Sequence, residues 1–151
     1  MITNPPFGKK LKIDDTEILS SYDLGQKWAY KKTEKKFEKS SKLHAGQSPQ
    51  ILFIERCLDL LKENGKMAIV LPDGIFGNET LSYLRNWIIK KAKILAVIDI
   101  PLETFLPHTG TKTSILVLKK STSEEVSNDY KIFMAVADYC GHDRRGYKIN
   151  E

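Results

Sequence analysis

Between residues 48 and 120 the chain alternates helix and strand signals, each closed by its own breaker, and few folds accept that alternation. Ser48 stands at a helix start with Pro49 in the first turn, and Ile51, Ile54, Leu58 and Leu61 follow at 3.6-residue spacing. Asn64 and Gly65 predict its end. Lys66–Leu71 reads as a short buried strand, closed by a turn of Pro72, Asp73 and Gly74. Asn78 is placed to cap a second helix that carries Leu81, Leu84 and Ile88 on one face, with Trp87 beside them. Ile94–Ile100 and Lys112–Leu118 read as strands joined by an irregular loop from Pro101 to Gly110. A parallel crossover needs a dozen or more residues and usually a helix, so these two strands are expected to pair antiparallel. Tyr130–Ala137 reads as a last strand. The expected class is α/β: the back half of a parallel sheet that ends in an antiparallel hairpin.

The 151 residues, 41% hydrophobic and 28% charged, suit one compact domain and exclude a disordered or fibrous chain. Residues 9–47 fit no element and read as a lysine-rich insertion or mobile segment within a single domain spanning 1–151. From Lys27 to Lys42 seven lysines stand against Glu34 and Glu38, an excess equal to the +5 of the whole chain. A local field of this kind draws polyanions by counterion release. Lys31, Lys32, Lys35 and Lys36 are therefore candidate nucleic-acid contacts, and Trp28, Tyr30 and Phe37 candidate stacking faces. A solvated lysine-rich loop accounts for the same pattern. Arg144 and Arg145, with Lys148 nearby, are candidate phosphate ligands in the run Gly141–Gly146, which also reads as a charged turn.

The sharpest chemical signal is Asn4-Pro5-Pro6-Phe7, which follows the strand-like Met1–Thr3. Asn4 offers a side-chain carbonyl and Pro5 a main-chain carbonyl, while the two prolines fix φ and remove their own N–H donors. Two converging acceptors suit a planar amino group with two N–H bonds, such as the exocyclic nitrogen of adenine, and the Phe7 ring can stack on the base. Accepting both hydrogens pulls the delocalised amine toward tetrahedral geometry, from which it can attack an electrophilic methyl held in line. No catalytic cysteine, metal or acid is required. Inside a duplex that amino group is paired, so the target nucleotide must be flipped out.

This tetrapeptide resembles the amino-group-binding motif of S-adenosylmethionine-dependent N6-adenine DNA methyltransferases. Three further blocks occur in order: Gly65-Lys66-Met67-Ala68-Ile69-Val70-Leu71-Pro72-Asp73-Gly74, Lys112-Thr113-Ser114-Ile115-Leu116, and Gly141-His142-Asp143-Arg144-Arg145-Gly146. Together they are similar to the modification subunits of type I restriction systems, over most of the chain outside residues 9–43. The resemblance implies a Rossmann-like methyltransferase fold whose C-terminal half is present here. It implies that Asn4, Pro5 and Pro6 form the amino-group site with Phe7 stacking on adenine, and that specificity and restriction subunits are partners alongside DNA. It also places the cofactor's glycine-rich loop and acidic ribose ligand upstream of the tetrapeptide. No GxGxxG cluster or P-loop occurs in this sequence, so S-adenosylmethionine is expected to bind weakly or not at all, and a truncated, split or cut gene product is expected. Strand-end logic puts Asn4 and the Pro72–Gly74 turn on one rim of the sheet, with Asp73 a weaker candidate that also reads as a turn cap. Lys112, Thr113 and Ser114 read as strand residues, and the loop Phe105–Thr111 as a candidate pocket lining.

Two other function classes stay open on the residues alone: methyl transfer to RNA or a protein glutamine, and a non-catalytic remnant that binds nucleic acid. Cys57 and Cys140 form no metal knuckle or redox pair, and His44, His108 and His142 lack ligand spacing, so no metal site is expected. Apolar runs such as Met67–Leu71 are far short of the roughly 18 residues that cross a bilayer, and no secretory h-region opens the chain, so a cytoplasmic protein is expected. The strand Lys66–Leu71 would pair with the one ending at Thr3, of which only a stub is present. An open apolar edge is a template for another chain, so association with a second copy or a missing half is expected.

Overall fold

The chain is described by a computed structural model over residues 1–6, 11–121 and 129–149. In chain order its elements are β1 (Ile2–Thr3), α1 (Thr16–Ser20), β2 (Gln26–Lys31), β3 (Lys36–Leu43), α2 (Pro49–Leu60), β4 (Lys66–Pro72), α3 (Gly74–Gly77), α4 (Ser82–Lys91), β5 (Ala92–Asp99), β6 (Thr113–Lys120) and β7 (Phe133–Val136). The main sheet runs β1-β4-β6-β5-β7. β1 lies parallel to β4 with Ile2 opposite Ala68 and Thr3 opposite Ile69, as the stub expectation requires. β6 inserts between β4 and β5, antiparallel to both. β7 returns parallel to β5, a partner that spacing did not predict. Four of the five strands therefore share a direction, and the expected antiparallel hairpin is β5–β6.

One face of this sheet makes the core. Met67, Ile69 and Leu71 of β4 pair in register with Leu118, Leu116 and Ser114 of β6, and the apolar members pack under α2 and α4. Ile54 and Leu58 of α2 and Leu84 and Ile88 of α4 complete it, all buried. Each such side chain contributes about 1.5–3 kcal/mol of transfer free energy. The opposite face, with Ala68 and Val70 on β4 and Ile115 and Val117 on β6, is only half-buried, and no helix among the described residues covers it.

Local chemistry shifts several boundaries. Ser48 occupies the N-cap position of α2 in extended geometry, but its hydroxyl makes no capping bond; Pro49 at the first position supplies the start. α2 stops at Leu60, short of Asn64–Gly65, because Leu61 is already extended and Asn64 takes the left-handed conformation (φ 60°) that turns the chain into β4. Asn78 caps, as its side chain accepts from the Thr80 N–H, but it caps a 3₁₀ turn (Glu79–Leu81) that leads into α4. The Asp73–Gly74 turn continues into the short helix α3.

Residues 11–47, unassigned from the sequence, are ordered around α1 and the β2–β3 hairpin. The Asp15 carboxylate caps α1 by accepting the Glu17 and Ile18 N–H groups. Gly25 follows because a Cβ there would lie 2.0 Å from the Leu19 carbonyl oxygen. The hairpin is tied to the core at its base: Gln47 Nε2 donates to the Leu24 carbonyl, and both oxygens of the buried Glu55 accept the Asp23 and Leu24 N–H groups at 2.7 and 2.8 Å. No helix among the described residues is long and apolar enough to cross a membrane.

Candidate active site

Because four strands run the same way and β6 runs against them, the C-terminal ends of β1, β4, β5 and β7 and the start of β6 meet along one rim. Open α/β sheets bind ligands there. The register fixes the neighbours: Pro72 lies opposite Thr113, and Asp99 lies opposite both Ser114 and Val136. The predicted sharing of this rim by Asn4 and the Pro72–Gly74 turn is realised.

Asn4 leaves β1 with its side chain exposed, and Pro5 follows with its ring fully buried. Among the described residues, neither the Asn4 amide nor the Pro5 carbonyl takes an internal hydrogen bond. The buried ring anchors Asn4–Pro6 at the rim, where both acceptors lack a partner among the described residues. Pro6 is exposed. Phe7, the expected stacking ring, lies outside the described residues.

Beside them Asp73 does more than end a strand. Its N–H donates to the Lys112 carbonyl (3.1 Å), its carbonyl accepts from Phe76 and Gly77, and its carboxylate accepts the Ser114 hydroxyl at 2.9 Å. The side chain makes no capping bond, so the expectation that it caps the turn is replaced by a tie to β6. One strand further, the Lys112 ammonium sits 2.6 Å from Asp99 Oδ1 and donates to the Ile100 carbonyl at 2.6 Å. Sequence reading missed both ties, which join residues 41 and 12 positions apart. The only available signal was that Lys112, Thr113 and Ser114 open a strand facing two strand ends.

The basic candidates sit elsewhere. In the hairpin, Trp28 pairs with Lys39 and Tyr30 with Phe37 on one side, while Ala29 pairs with Glu38 and Lys31 with Lys36 on the other. Trp28 and Phe37 pack against the core, and the Trp28 indole donates to the Asp23 carbonyl. Their packing removes two of the three expected stacking faces; Tyr30 alone is about half exposed, 5.1 Å from the Phe37 ring. Lys31 reaches Glu38, and Lys36 reaches Glu34 and Glu38. Lys31, then Lys36, holds the Glu38 carboxyl below its usual range, and Glu34, then Glu38, raises Lys36. Lys32 and Lys35 are the first and last residues of the hairpin's connecting turn. This hairpin lies alongside α4 in the helical layer, where Asp23 accepts from both Lys39 and the Trp87 indole. Arg144 and Arg145 do reach the rim, in the segment after β7. No cluster of metal ligands occurs among the described residues.

Known proteins agree with this arrangement. The chain is 31% identical over 70 residues to the methylase subunit of the type I restriction enzyme EcoEI of Escherichia coli, a stretch covering 46% of this chain and 14% of that protein. Its fold is similar to a protein described as a class I S-adenosylmethionine-dependent methyltransferase from Listeria monocytogenes (TM-score 0.68, 22% identity, covering 92% of this chain and 36% of that one). It is also similar to one described as the modification subunit of a type I restriction enzyme from Vibrio vulnificus (TM-score 0.57, 21% identity, 80% and 22%). The chain thus spans a minor part of each relative, and the structural likenesses speak for the fold. The N-6 DNA methylase sequence profile matches residues 1–148, and the chain belongs to that family.

Proposed function

We propose that this chain forms the target-base half of an N6-adenine DNA methyltransferase of the type I modification-subunit kind. The observation that carries the reading is the pair of acceptors on Asn4 and Pro5, without a partner among the described residues, at the C-terminal end of β1 beside a braced rim. In this reading a flipped adenine gives its two amino hydrogens to Asn4 Oδ1 and the Pro5 carbonyl oxygen. Both bonds draw the nitrogen away from planarity and return its lone pair to the side where a methyl carbon approaches. The buried Pro5 ring keeps one acceptor fixed, so little reorganisation is needed when the base arrives. Stacking is assigned to Phe7.

S-adenosylmethionine is the methyl donor that this reading implies, supplying an electrophilic carbon. The described residues do not fit it. Asp73 is engaged by Ser114 and Asp99 by Lys112, and no glycine-rich GxGxxG turn is present in the sequence to cradle an adenosine. The chemistry assigned to this chain therefore stops at the amine, and weak or no binding of the donor is expected. DNA is the substrate, with specificity and restriction subunits as partners. Lys31, Lys32, Lys35 and Lys36 are assigned to DNA backbone, Lys32 and Lys35 first because they sit in the exposed turn while Lys31 and Lys36 are paired with Glu34 and Glu38.

The test compares two labelled duplexes by fluorescence anisotropy. One carries adenine opposite an abasic site; the other carries purine, which lacks the amino group. A bidentate amino contact is worth about 1–3 kcal/mol, so adenine should bind about 5- to 150-fold more tightly, and Asn4→Ala should erase the difference. Equal affinities in the unmodified chain overturn the reading.

A further inference from the structure

The segment that follows β7 is a built turn with nothing of the core inside it. Gly141 and Gly146 take positive φ (85° and 86°), a conformation that favours glycine. Between them the Asp143 carboxylate accepts the Arg145 and Tyr147 N–H groups at 2.8 and 3.0 Å, while the Asp143 N–H donates to the Tyr147 carbonyl. The Tyr147 and Arg145 bonds hold the Asp143 carboxyl below its usual range. His142 bridges to Lys148, the Ile149 N–H returns to the Gly141 carbonyl, and the Tyr139 hydroxyl donates to the Ile149 carbonyl. What this framework displays is polar and aromatic: the Arg144 and Arg145 side chains are 77% and 78% exposed, and Tyr147 is 67% exposed with the Arg145 guanidinium 5.3 Å above its ring.

Its position is as specific as its build. The Ala137 N–H donates to the Asp99 carbonyl, which puts the start of the segment on the rim. Arg144 pairs with Glu103 at 3.1 Å, and Gly146 lies beside Pro107, whose ring a Cβ there would meet at ordinary contact distance (3.4 Å). The turn is thus docked on the β5–β6 loop, beside the candidate pocket lining Phe105–Thr111. Strands lie about 4.8 Å apart, so β5 is about 14 Å along the rim from β1, and β7 about 19 Å. A DNA major groove is about 12 Å wide. A base held at Asn4 leaves its duplex within reach of the turn.

We propose that the turn Gly141–Ile149 is a clamp for the duplex around the flipped base, with Arg144, Arg145 and Lys148 on backbone phosphates and the Tyr147 ring stacked on a base exposed by the flip. This rests on the adenine reading above and adds residues to it. A rigid turn with a net positive charge holds its cations in place before DNA arrives, so less side-chain freedom is lost on binding. Arginine also suits phosphate geometry through its planar fork of donors.

The experiment titrates the full chain against the adenine–abasic duplex and a fully paired duplex over a range of salt. Arg144→Ala, Arg145→Ala and Lys148→Ala should each lower the slope of log affinity against log salt by about 0.9 on both duplexes. Arg145→Ala keeps the backbone N–H that Asp143 accepts but removes the guanidinium's own bonds to that carboxylate, so Arg144→Ala and Lys148→Ala, which leave every Asp143 bond in place, decide the slope. Tyr147→Ala should weaken the gapped duplex about tenfold and the paired one less, and Tyr147→Phe should restore it, since the ring does the stacking. Lys62→Ala, at the opposite end of the sheet, should leave slope and preference unchanged. Turn variants that match Lys62→Ala, or no duplex binding by the unmodified chain at low salt, overturn the proposal. Loss of the adenine-over-purine preference with these turn effects intact would instead remove the adenine reading and leave the clamp standing.

Discussion

The Ser114 hydroxyl donates to the Asp73 carboxylate across 2.9 Å, fastening the first residue of the turn after β4 to the second residue of β6. Ser114 is buried and Asp73 half-buried, so the bond is shielded from water. Ser114→Ala removes the donor and is expected to cost about 0.5–1.5 kcal/mol in urea unfolding. Asp73→Ala should cost a similar amount, and the double variant little more than the larger single one, because the two changes delete one interaction. Additive losses would show that the residues act separately.

The role proposed for Asn4 needs only an acceptor at that place. Asn4→Asp presents carboxylate oxygens at the same place and should keep a preference for adenine over purine in the anisotropy assay. Asn4→Leu offers no acceptor and should lose it. Both side chains sit at an exposed position, so unfolding free energies should stay within about 0.5 kcal/mol of the parent.

The hairpin's attachment should weaken in acid. Lys39 donates to Asp23 at 2.6 Å, and this bond foremost, then the Trp87 indole, holds the Asp23 carboxyl below its usual value of 3.8 against the opposing effect of burial. A depressed carboxyl stabilises the fold above its unfolded value and loses that contribution as pH falls through the folded one. Asp23 is about one-third exposed, so screening limits the effect to a few tenths of a kcal/mol. Asp23→Asn should therefore reduce stability slightly at neutral pH, and the gap from the parent should narrow as pH falls below 3.8. A gap that widens in acid would contradict the assignment.

Local signals served well where one residue type has one use. Pro49 after Ser48 and the largely apolar run Lys66–Leu71 each located their element, because a helix start and a buried strand have distinct chemical needs. The hairpin was illegible for the opposite reason. In Gln26–Lys31 and Lys36–Leu43 the inward side carries Trp28 and Phe37, but lysines and glutamates fill the outward side and dilute the alternation until it reads as a charged loop. The rim ties were hidden by distance: Asp73 meets Ser114 only because β6 inserts beside β4, and that order of strands leaves no mark on spacing. β7 was found but its partner was not, since a four-residue strand with three exposed residues spread over both faces carries little register information.

Glu55 offers the most decisive stability test, because two physical effects compete on one carboxylate. It is 6% exposed on α2, and its oxygens accept the Asp23 and Leu24 N–H groups at the base of the hairpin. Burial pushes its pKa above the ordinary 4.5, and the Leu24 and Asp23 bonds, in that order, pull it back without cancelling the rise. A carboxyl raised in the folded state holds a proton that the unfolded chain releases. Its stability contribution is complete below about pH 4.5 and fades as pH rises through the folded value. Glu55→Gln keeps one acceptor, turns an NH₂ toward the second backbone N–H, and does not titrate, so it should be less stable than the parent by about 1–3 kcal/mol in acid. Measured by urea unfolding, that difference should shrink as pH rises from 4 toward 7, with other titrating groups cancelling in the comparison. A difference that grows with pH would mean that the two N–H donors outweigh burial and that the ionised carboxylate is the form the fold prefers.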